Sequence, residues 1–352
     1  MSLQQLKVTR VQQEVNEVIT IILTPLTGQK PHYKAGQFLT LSFRMADKEL
    51  RRSYSAYSSP LVDEPLAIAV KLVENGEISR FLHHSLREGD TVEVTAPGGM
   101  FFYEPEKDID RTVFLFAAGV GITPLYSILK TALVGERKSK IVLIYSSRSA
   151  EDTLFLPELK QWQQIYPDRF KLINLFSNSK NLLRARLNGF LVHELIREQL
   201  PFVKENALFY TCGPVDYMDV CRISILGAGY KSAQVKRETF VLPEDEIDED
   251  DTTEKVVDKN TYSINLIFQG ETHHLQVPWP KRILDVALEN KIKIPYSCSG
   301  GVCSTCVATC ISGGVRMEYN EILTDDEIAN GRILVCTGHP TENDTTITWD
   351  SL

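Results

Sequence analysis

The cysteines are the feature that most restricts how this chain can fold. Five of the seven lie C-terminal to Tyr296, and four of those five fall within the stretch YSCSGGVCSTCVATC at 296–310. Small residues separate them, so main-chain N–H groups can turn inward towards a shared centre. Cysteines gathered in this way indicate metal or redox chemistry rather than disulfide bonds, since the N-terminus shows no signal peptide. The small residues are Ser297, Ser299, Gly300, Gly301, Ser304 and Thr305.

The spacing selects four of these five cysteines and favours iron over zinc. Cys298-x4-Cys303-x2-Cys306, with twenty-nine residues before Cys336, is the spacing of plant-type [2Fe–2S] ferredoxins. Zinc sites more often use paired C-x2-C knuckles. Cys310 lies on the strand-like run VATCIS, where its Cα would be ~13 Å from that of Cys306. We therefore predict Cys298, Cys303, Cys306 and Cys336 as metal ligands and Cys310 as a core residue.

The acidity of the chain is concentrated in one segment. The formal charge is −8, and residues 243–258 alone hold nine acidic residues and one lysine, so the rest of the chain is close to neutral. So acidic a run buries too little apolar surface to fold by itself, which predicts a mobile linker, with a partner-docking patch as the alternative. No basic stripe with interleaved aromatic residues is present, so a nucleic-acid partner is not expected.

The pattern of apolar residues divides the 352-residue chain into three further parts. Up to residue 107, short alternating runs such as QFLTLSF and LAIAVKLV predict a small antiparallel barrel or sandwich. From 108 to 242, continuous apolar runs alternate with helical segments, which predicts a parallel α/β sheet with ligands at the carboxyl ends of its strands. Residues 259–352 begin with a predicted hairpin and a short helix ahead of the cysteine loop.

One apolar stretch could be mistaken for a membrane span. Val113–Leu129 contains two glycines and a proline, and a buried strand that runs into a helix explains it better. No membrane partner is expected, and we predict a cytoplasmic protein.

Two polar motifs in the first part suit a ligand that carries both a ring system and a diphosphate. Arg52 and Tyr54 in R-x-Y-S share one side of an extended strand, where arginine can hold a diphosphate and tyrosine can pack on an aromatic ring. Gly76-x-x-Ser79 stands at a helix start, whose N–H groups suit a phosphate. An exposed strand and a plain helix N-cap are the simpler explanations of each motif. Together, ahead of an α/β segment, the motifs favour a flavin site.

Two further motifs follow apolar strands in the α/β part. In Gly119-x-Gly121-x-Thr123-Pro124 the glycines allow a tight turn close to a pyrophosphate, and proline suits a first helical turn. Cys212-Gly213-Pro214 ends a later strand, where a lone cysteine could also be simple core packing. Cys221, without such a context, is predicted to lie in the core.

The second strand of this part bears on the choice between NADPH and NADH. Ser147 and Arg148 at its end suit a 2′-phosphate, which favours NADPH. Glu151 and Asp152 follow closely and could instead accept from a ribose 2′-hydroxyl, so NADH stays open.

These motifs resemble those of the ferredoxin–NADP reductase superfamily. The resemblance implies FAD on an antiparallel β-barrel, NAD(P)H on the α/β domain and a [2Fe–2S] cluster on a β-grasp ferredoxin domain of α+β type. It implies catalytic roles for Cys212, beside the nicotinamide, for Glu238, close to the flavin, and for Ser55. It implies cofactor contacts from Arg52, Ser53, Tyr54, Ser55, Val70, Lys71, Gly76, Ile78, Ser79, Gly119, Gly121, Thr123, Pro124, Ser147, Arg148, Cys212, Gly213, Pro214 and Phe240.

The order of the three domains is similar to that of oxygenase reductase components, above all those of the phenylacetyl-CoA epoxidase type. That resemblance implies hydride transfer from NAD(P)H to FAD, then single electrons through the cluster to the oxygenase of a multicomponent monooxygenase. A reductase for a Rieske oxygenase or another diiron hydroxylase remains open. So do a redox-sensing module without turnover and a zinc-stabilised nucleotide-binding protein.

Overall fold

The computed structural model describes residues 3–15, 17–27, 29–45, 48–181, 184–240 and 258–350. They form two compact units, which meet in the sequence between Thr239 and Phe240. Apart from Asp258, the predicted acidic linker at 243–258 lies outside the described residues. Within these six ranges, no helix has the length and apolar character needed to cross a membrane.

The first unit begins with six antiparallel strands in the order β4-β3-β6-β1-β2-β5. A bridge between Ala56 and Ile68 joins the end of β4 to β5, the two edge strands, so the sheet closes into a barrel rather than a sandwich. Helix α1 (Glu77–His84) follows β5. The strands are β1 (Gln4–Gln13), β2 (Val18–Pro25), β3 (Phe38–Met45), β4 (Lys48–Ser55), β5 (Leu66–Lys71) and β6 (Thr91–Val94).

Alternate residues of these strands build the barrel core, because successive side chains of a strand point to opposite sides. Helix α1 adds Ile78 and Leu82 to the same core. The inward strand residues are Leu6, Val8, Ile19, Ile21, Leu23, Leu39, Leu41, Leu66, Ile68, Val70, Val92 and Val94.

The rest of the first unit is a five-stranded parallel sheet in the order β11-β10-β7-β8-β9. Its central strand β7 is apolar from Val113 onward, as expected for a strand with both faces covered. Val113 and Leu115 pack with α2 and α3, whereas Phe114 and Phe116 pack with α4 and α5. The elements are β7 (Thr112–Ala118), α2 (Ile122–Gly135), β8 (Lys140–Ser147), α3 (Leu156–Ile165), β9 (Phe170–Phe176), α4 (Gly189–Gln199), β10 (Leu208–Cys212), α5 (Val215–Gly227) and β11 (Val235–Glu238).

The strand order places a switch point between β7 and β10. The chain runs outward from β7 through β8 to β9, then returns to add β10 and β11 on the other side. In open α/β sheets, ligands bind in the crevice that such a reversal leaves at the carboxyl ends of the strands. The glycine motif follows β7 and the Cys-Gly-Pro motif follows β10, so the fold brings the two predicted nucleotide motifs to this crevice.

The second unit holds a five-stranded mixed sheet in the order β13-β12-β18-β14-β16. Strands β12 and β18 are parallel and the other neighbours are antiparallel. Helix α6 buries Ile283 and Leu284 against the sheet, as expected for an α+β ferredoxin domain. The elements are β12 (Thr261–Phe268), β13 (Glu271–Pro278), α6 (Ile283–Glu289), β14 (Val307–Ser312), β15 (Val315–Met317), α7 (Asp325–Ala329), β16 (Arg332–Leu334), β17 (Gly338–Pro340) and β18 (Thr345–Thr348).

Candidate functional site

The loops after β7 and β10 touch at the switch point, and glycine is what lets them do so. A Cβ placed on Gly121 would lie 2.3 Å from the carbonyl oxygen of Cys212, and one on Gly213 would lie 2.8 Å from the Cβ of Ala118. Either would force the loops apart. Gly119 adopts a φ of +54°, a left-handed conformation that disfavours other residues. The predicted glycines therefore shape one continuous cradle of main chain.

A cavity of about 740 Å³ lies at this edge of the sheet. The turn at Gly119 and Val120 forms one part of its wall, and the end of β8 forms another. Lys71 reaches the same cavity from the barrel. The structure thus brings together four residues predicted separately, Lys71, Gly119, Ser147 and Arg148. A cavity of this size, with main-chain and basic groups in its wall, suits a nucleotide.

Arg148 and Ser147 lie at the rim of this cavity, and their side chains differ in how firmly neighbouring residues hold them. The Arg148 side chain is 74% exposed, and its Nε lies 3.6 Å from Oδ2 of Asp152. So long and exposed an ion pair is weak, which leaves the guanidinium available to a phosphate. The Ser147 hydroxyl is within hydrogen-bond distance of the Thr153 hydroxyl, at 2.7 Å, and donates to the Ser149 carbonyl at 3.2 Å.

Cys212 and Glu238 end neighbouring strands and face each other across the ladder. Cys212 is fully buried and Glu238 nearly so. Among the described residues Oε2 of Glu238 has no hydrogen-bond partner. Burial raises the pKa of the Glu238 carboxyl well above its usual range. Burial, with the Glu238 charge as a second cause, also raises the pKa of the Cys212 thiol, so Cys212 is a neutral thiol and not a thiolate nucleophile.

The R-x-Y-S motif forms the end of β4. Arg52 is exposed, and one of its guanidinium nitrogens donates to the Arg51 carbonyl. Tyr54 packs against the barrel core, and burial raises the pKa of its phenol. The Ser55 hydroxyl is buried and finds no partner in the part of the chain that the structure describes. A buried hydroxyl without a partner, such as that of Ser55, fits a polar group of a bound cofactor.

The structure contradicts the simpler explanation of the G-x-x-S motif, in which Ser79 is a helix N-cap. Ser79 is not the N-cap of α1, since Gly76 holds that position. The Ser79 hydroxyl instead accepts from the Val73 N–H, and its one proton can be donated to the Gly76 carbonyl at 3.1 Å or the Val73 carbonyl at 3.3 Å. Ile78 and Val70 are buried in the barrel core. These residues can offer a ligand main-chain atoms, while their side chains hold the loop and the barrel.

The remaining predicted positions lie at the two loops of the switch point, on β4 and just after β11. Thr123 and Pro124 lie in the first turn of α2, and the Thr123 hydroxyl donates to the Val120 carbonyl at 3.1 Å. Ser53 is within 3.0 Å of the Thr40 hydroxyl. Pro214 precedes α5 as its N-cap. Phe240 lies beyond the end of β11 and is 43% exposed.

In the second unit, the four predicted ligand cysteines come into mutual contact. The sulfurs of Cys306 and Cys336 are 3.1 Å apart. Hydrogen bonds from the Cys303 and Cys336 thiols lower the pKa of Cys298, and the same bonds raise the pKa of Cys303 and Cys336. Cys310 lies on β14, is half-buried against the edge of the core as a core residue was predicted to be, and donates to the Ser312 carbonyl, so it lies apart from the four ligand cysteines.

The loop around these sulfurs has the shape that a cluster needs. Ser299 and Gly301 adopt φ values of 58° and 77°, which turn main-chain N–H groups inward, and the Gly300 N–H reaches the Cys298 sulfur at 3.4 Å. In the described ranges no three His, Cys, Asp or Glu side chains surround a point suited to a single metal ion. Two thiolates that bind one tetrahedral metal at ~2.3 Å lie roughly 4 Å apart. The Cys306 and Cys336 sulfurs, 3.1 Å apart, would therefore move apart by under ~1 Å to share one iron.

Several residues of the cavity wall, among them Glu17, Tyr145 and Ser177, were not predicted from the sequence as part of a site. Neither Glu17 nor Ser177 belongs to a predicted motif. Glu17 adopts a φ of 57° in the turn before β2, and its carbonyl accepts from the Leu72 N–H beside Lys71. The sequence around it, EVNEV, carries no nucleotide signal, so only the folded barrel reveals it.

Three family models match successive parts of the chain. An oxidoreductase FAD-binding domain matches residues 6–103, an oxidoreductase NAD-binding domain matches 115–222, and a 2Fe-2S iron-sulfur cluster binding domain matches 266–341. The matches lie in the barrel, the parallel sheet and the second unit, respectively. They agree with the predicted cofactors FAD, [2Fe–2S] and a pyridine nucleotide, while the domain boundaries and the individual site residues remain predictions.

Known proteins resemble the chain over nearly its whole length. One of the subunits of 1,2-phenylacetyl-CoA epoxidase from Escherichia coli is 31% identical over 98% of this chain and 97% of its own. The ferredoxin reductase component of 3-ketosteroid-9-alpha-monooxygenase from Mycolicibacterium smegmatis is 30% identical over 98% of this chain and 97% of its own. The crystal structure of phthalate dioxygenase reductase has the same fold, with a TM-score of 0.61 and 24% identity over 99% of this chain and 98% of its own. The chain therefore belongs to the family of FAD- and NAD-binding reductases with a C-terminal [2Fe–2S] domain, and it is an NAD(P)H-dependent iron–sulfur flavoprotein reductase.

Proposed function

We propose that this reductase delivers electrons to the oxygenase component of a multicomponent monooxygenase of the phenylacetyl-CoA epoxidase type. The similarity to the Escherichia coli epoxidase protein, which extends over both chains almost completely, is the observation that carries the proposal. The similarity to a 3-ketosteroid monooxygenase reductase is nearly as high, so that class of oxygenase is the second candidate. We place the reaction in the cytoplasm.

The residues at the switch point would bind and orient the pyridine nucleotide. The main-chain cradle around Gly119 and Gly121 would receive the pyrophosphate, and α2 starts there with its N–H groups. Cys212 would offer the nicotinamide a small neutral thiol, whose raised pKa keeps a competing negative charge away from the ring. Arg52 and the Ser55 hydroxyl would hold FAD, and the four cysteine thiols would hold the cluster. A flavin bound there would supply the link between two-electron hydride chemistry and the one-electron chemistry of a [2Fe–2S] centre.

The test begins with an absorption spectrum of the purified protein. We expect flavin bands with a broad iron–sulfur shoulder, both bleached by NAD(P)H under anaerobic conditions. A Cys336→Ser variant should keep the flavin bands and lose most of its iron. Cys310→Ser is the matched control and should keep its full iron content. Equal iron in the two variants would disprove the ligand assignment.

Reconstitution identifies the oxygenase. The reductase is mixed in turn with a phenylacetyl-CoA epoxidase oxygenase and a 3-ketosteroid monooxygenase oxygenase, and NAD(P)H consumption coupled to product is measured. We expect coupled turnover with the epoxidase. Reduction of ferricyanide with no coupling to either oxygenase would reject both partners while leaving the reductase activity intact, and a lack of even ferricyanide reduction would favour a sensory module.

We further propose that NADPH is the preferred donor, because Arg148 stands exposed at the cavity rim with only a weak ion pair. Replacing Arg148 with alanine should lower kcat/KM for NADPH by about 10-fold or more and leave NADH little changed, since a hydrogen bond to a charged group contributes about 1.5–3 kcal/mol. Lys171→Ala, an exposed lysine on β9, serves as the control. An equal loss with both nucleotides would contradict a 2′-phosphate contact.

A further inference from the structure

The turn between β7 and α2 is held by two tyrosine hydroxyls. Tyr217 donates to the carbonyl of Ala117 at 3.1 Å, and Tyr145 donates to the carbonyl of Gly119 at 3.0 Å. The two acceptors lie on either side of Ala118, where the strand ends and the glycine turn begins. The phenols therefore fix the main chain at the point where its conformation changes from strand to left-handed turn.

The two phenols approach the turn from different elements. Tyr145 comes from the neighbouring strand β8, is fully buried and also lines the nucleotide cavity. Tyr217 comes from the first turn of α5, where its ring lies 3.3 Å from a Cβ placed on Gly213. Burial raises the pKa of both phenols, so both remain protonated donors over the pH range in which proteins of this kind work.

We propose that Tyr145 and Tyr217 are positioning residues for the pyridine nucleotide, which hold the Ala117–Gly121 turn in the shape that receives it. The proposal rests on the nucleotide site at the switch point and assigns the side chains that maintain it. This five-residue turn contains two glycines and would have many conformations if it were untethered, so ordering it upon binding would cost affinity. Two hydroxyl anchors remove that cost before the nucleotide arrives.

The competing explanation is that buried phenols simply satisfy their own hydrogen-bonding needs. Tyr210 allows the two explanations to be separated. It too is buried, and its hydroxyl donates to a main-chain carbonyl, that of Phe102, at 3.1 Å. Its bond lies away from the glycine turn, so a Tyr210→Phe variant loses the same kind of interaction without altering the turn.

The experiment compares Tyr145→Phe, Tyr217→Phe and Tyr210→Phe in the full-length holoprotein. Isothermal titration with NADP+ and with NAD+ gives Kd, steady-state kinetics give KM and kcat, and thermal unfolding gives Tm. We expect the first two variants to raise Kd and KM roughly three- to tenfold and to keep kcat within twofold. Each variant loses one hydrogen bond that orders the turn before the nucleotide binds. Flavin and iron content should match the wild type. Tyr210→Phe should lower Tm by a similar amount and leave Kd unchanged.

Unchanged Kd values in Tyr145→Phe and Tyr217→Phe, with a Tm loss like that of Tyr210→Phe, would overturn the proposal. An equal rise of Kd in all three variants would also overturn it, because the rise would then come from a general loss of stability and not from the turn. Each of the two variants decides the role of its own hydroxyl if the other does not fold. A wild-type protein that binds neither nucleotide would instead refute the nucleotide site itself, a failure that the wild-type titration shows separately.

Discussion

At the scale of single residues, the carboxyl group of Glu238 is buried without full hydrogen bonding. Glu238 is 7% exposed, and one of its oxygens has no partner among the described residues. Its folded pKa lies above the unfolded value, so the stability that it contributes is present in full below the unfolded pKa and is lost as the pH rises towards the folded pKa. The burial of Glu238 therefore lowers the free energy of unfolding at neutral pH.

A Glu238→Gln variant tests that cost. We expect its free energy of unfolding to match the wild type near pH 4.5 and to exceed it increasingly at higher pH. The gap should grow by about 1.4 kcal/mol per pH unit until the folded pKa is reached. Urea unfolding at a series of pH values measures it. A gap that stays constant between about pH 5 and 8 would show that Glu238 ionises normally.

The Cys212 thiol gives a second residue-scale prediction. Since burial and the neighbouring carboxyl raise its pKa, it should resist iodoacetamide in the native protein at about pH 8 and react only after unfolding. Peptide mass spectrometry of the folded and the denatured protein follows the labelling. Rapid labelling of the native protein would contradict a fully buried neutral thiol.

At the scale of elements, the packing of two loops rather than any one side chain defines the nucleotide crevice. Gly121→Ala would place a methyl group 2.3 Å from the Cys212 carbonyl, where main chain must move. We expect a loss of about 1–3 kcal/mol and weaker nucleotide binding. Gly227→Ala is the matched control, because its Cβ meets nothing within 4 Å, and it should be neutral or stabilising by up to about 1 kcal/mol. Denaturant unfolding and nucleotide titration of both variants measure the difference.

Elements with a strong periodicity were predictable from the sequence, and relations between elements were not. The run TVFLFAAG predicts a buried strand because both faces of β7 are covered, and the cysteine spacing predicts the loop that gathers four thiols. The closure of the barrel at Ala56 and Ile68 depends on a single long-range bridge that leaves no local pattern. Likewise, Ser79 has the sequence of an N-cap, but tertiary packing directs its hydroxyl to the loop at Val73.

At the scale of the whole molecule, two units with separate cores predict two separable unfolding events. The first unit holds the barrel and parallel-sheet cores, and the second holds the core around α6 and the cysteines. Loss of a cluster ligand in Cys336→Ser should lower the unfolding temperature of the second unit only, because metal binding stabilises the unit that holds the ligands. The temperature at which flavin is released on heating, followed by fluorescence, should stay within a few degrees of the wild-type value. An equally large fall in the temperature of flavin release would show that the two units unfold together.

The position of β18 in the second unit has a consequence for how the protein is made. Its residues, Thr345–Thr348, come after those of every other strand of that sheet, yet the strand lies at the sheet's centre, between β12 and β14. During translation the first unit can fold while the ribosome is still working, because all of its strands have already emerged. The ferredoxin sheet cannot fold so early, since its central strand β18 is the last of its strands to be synthesised. Assembly of the iron–sulfur centre on a stable scaffold is thereby delayed until after the last codons of the sheet have been read.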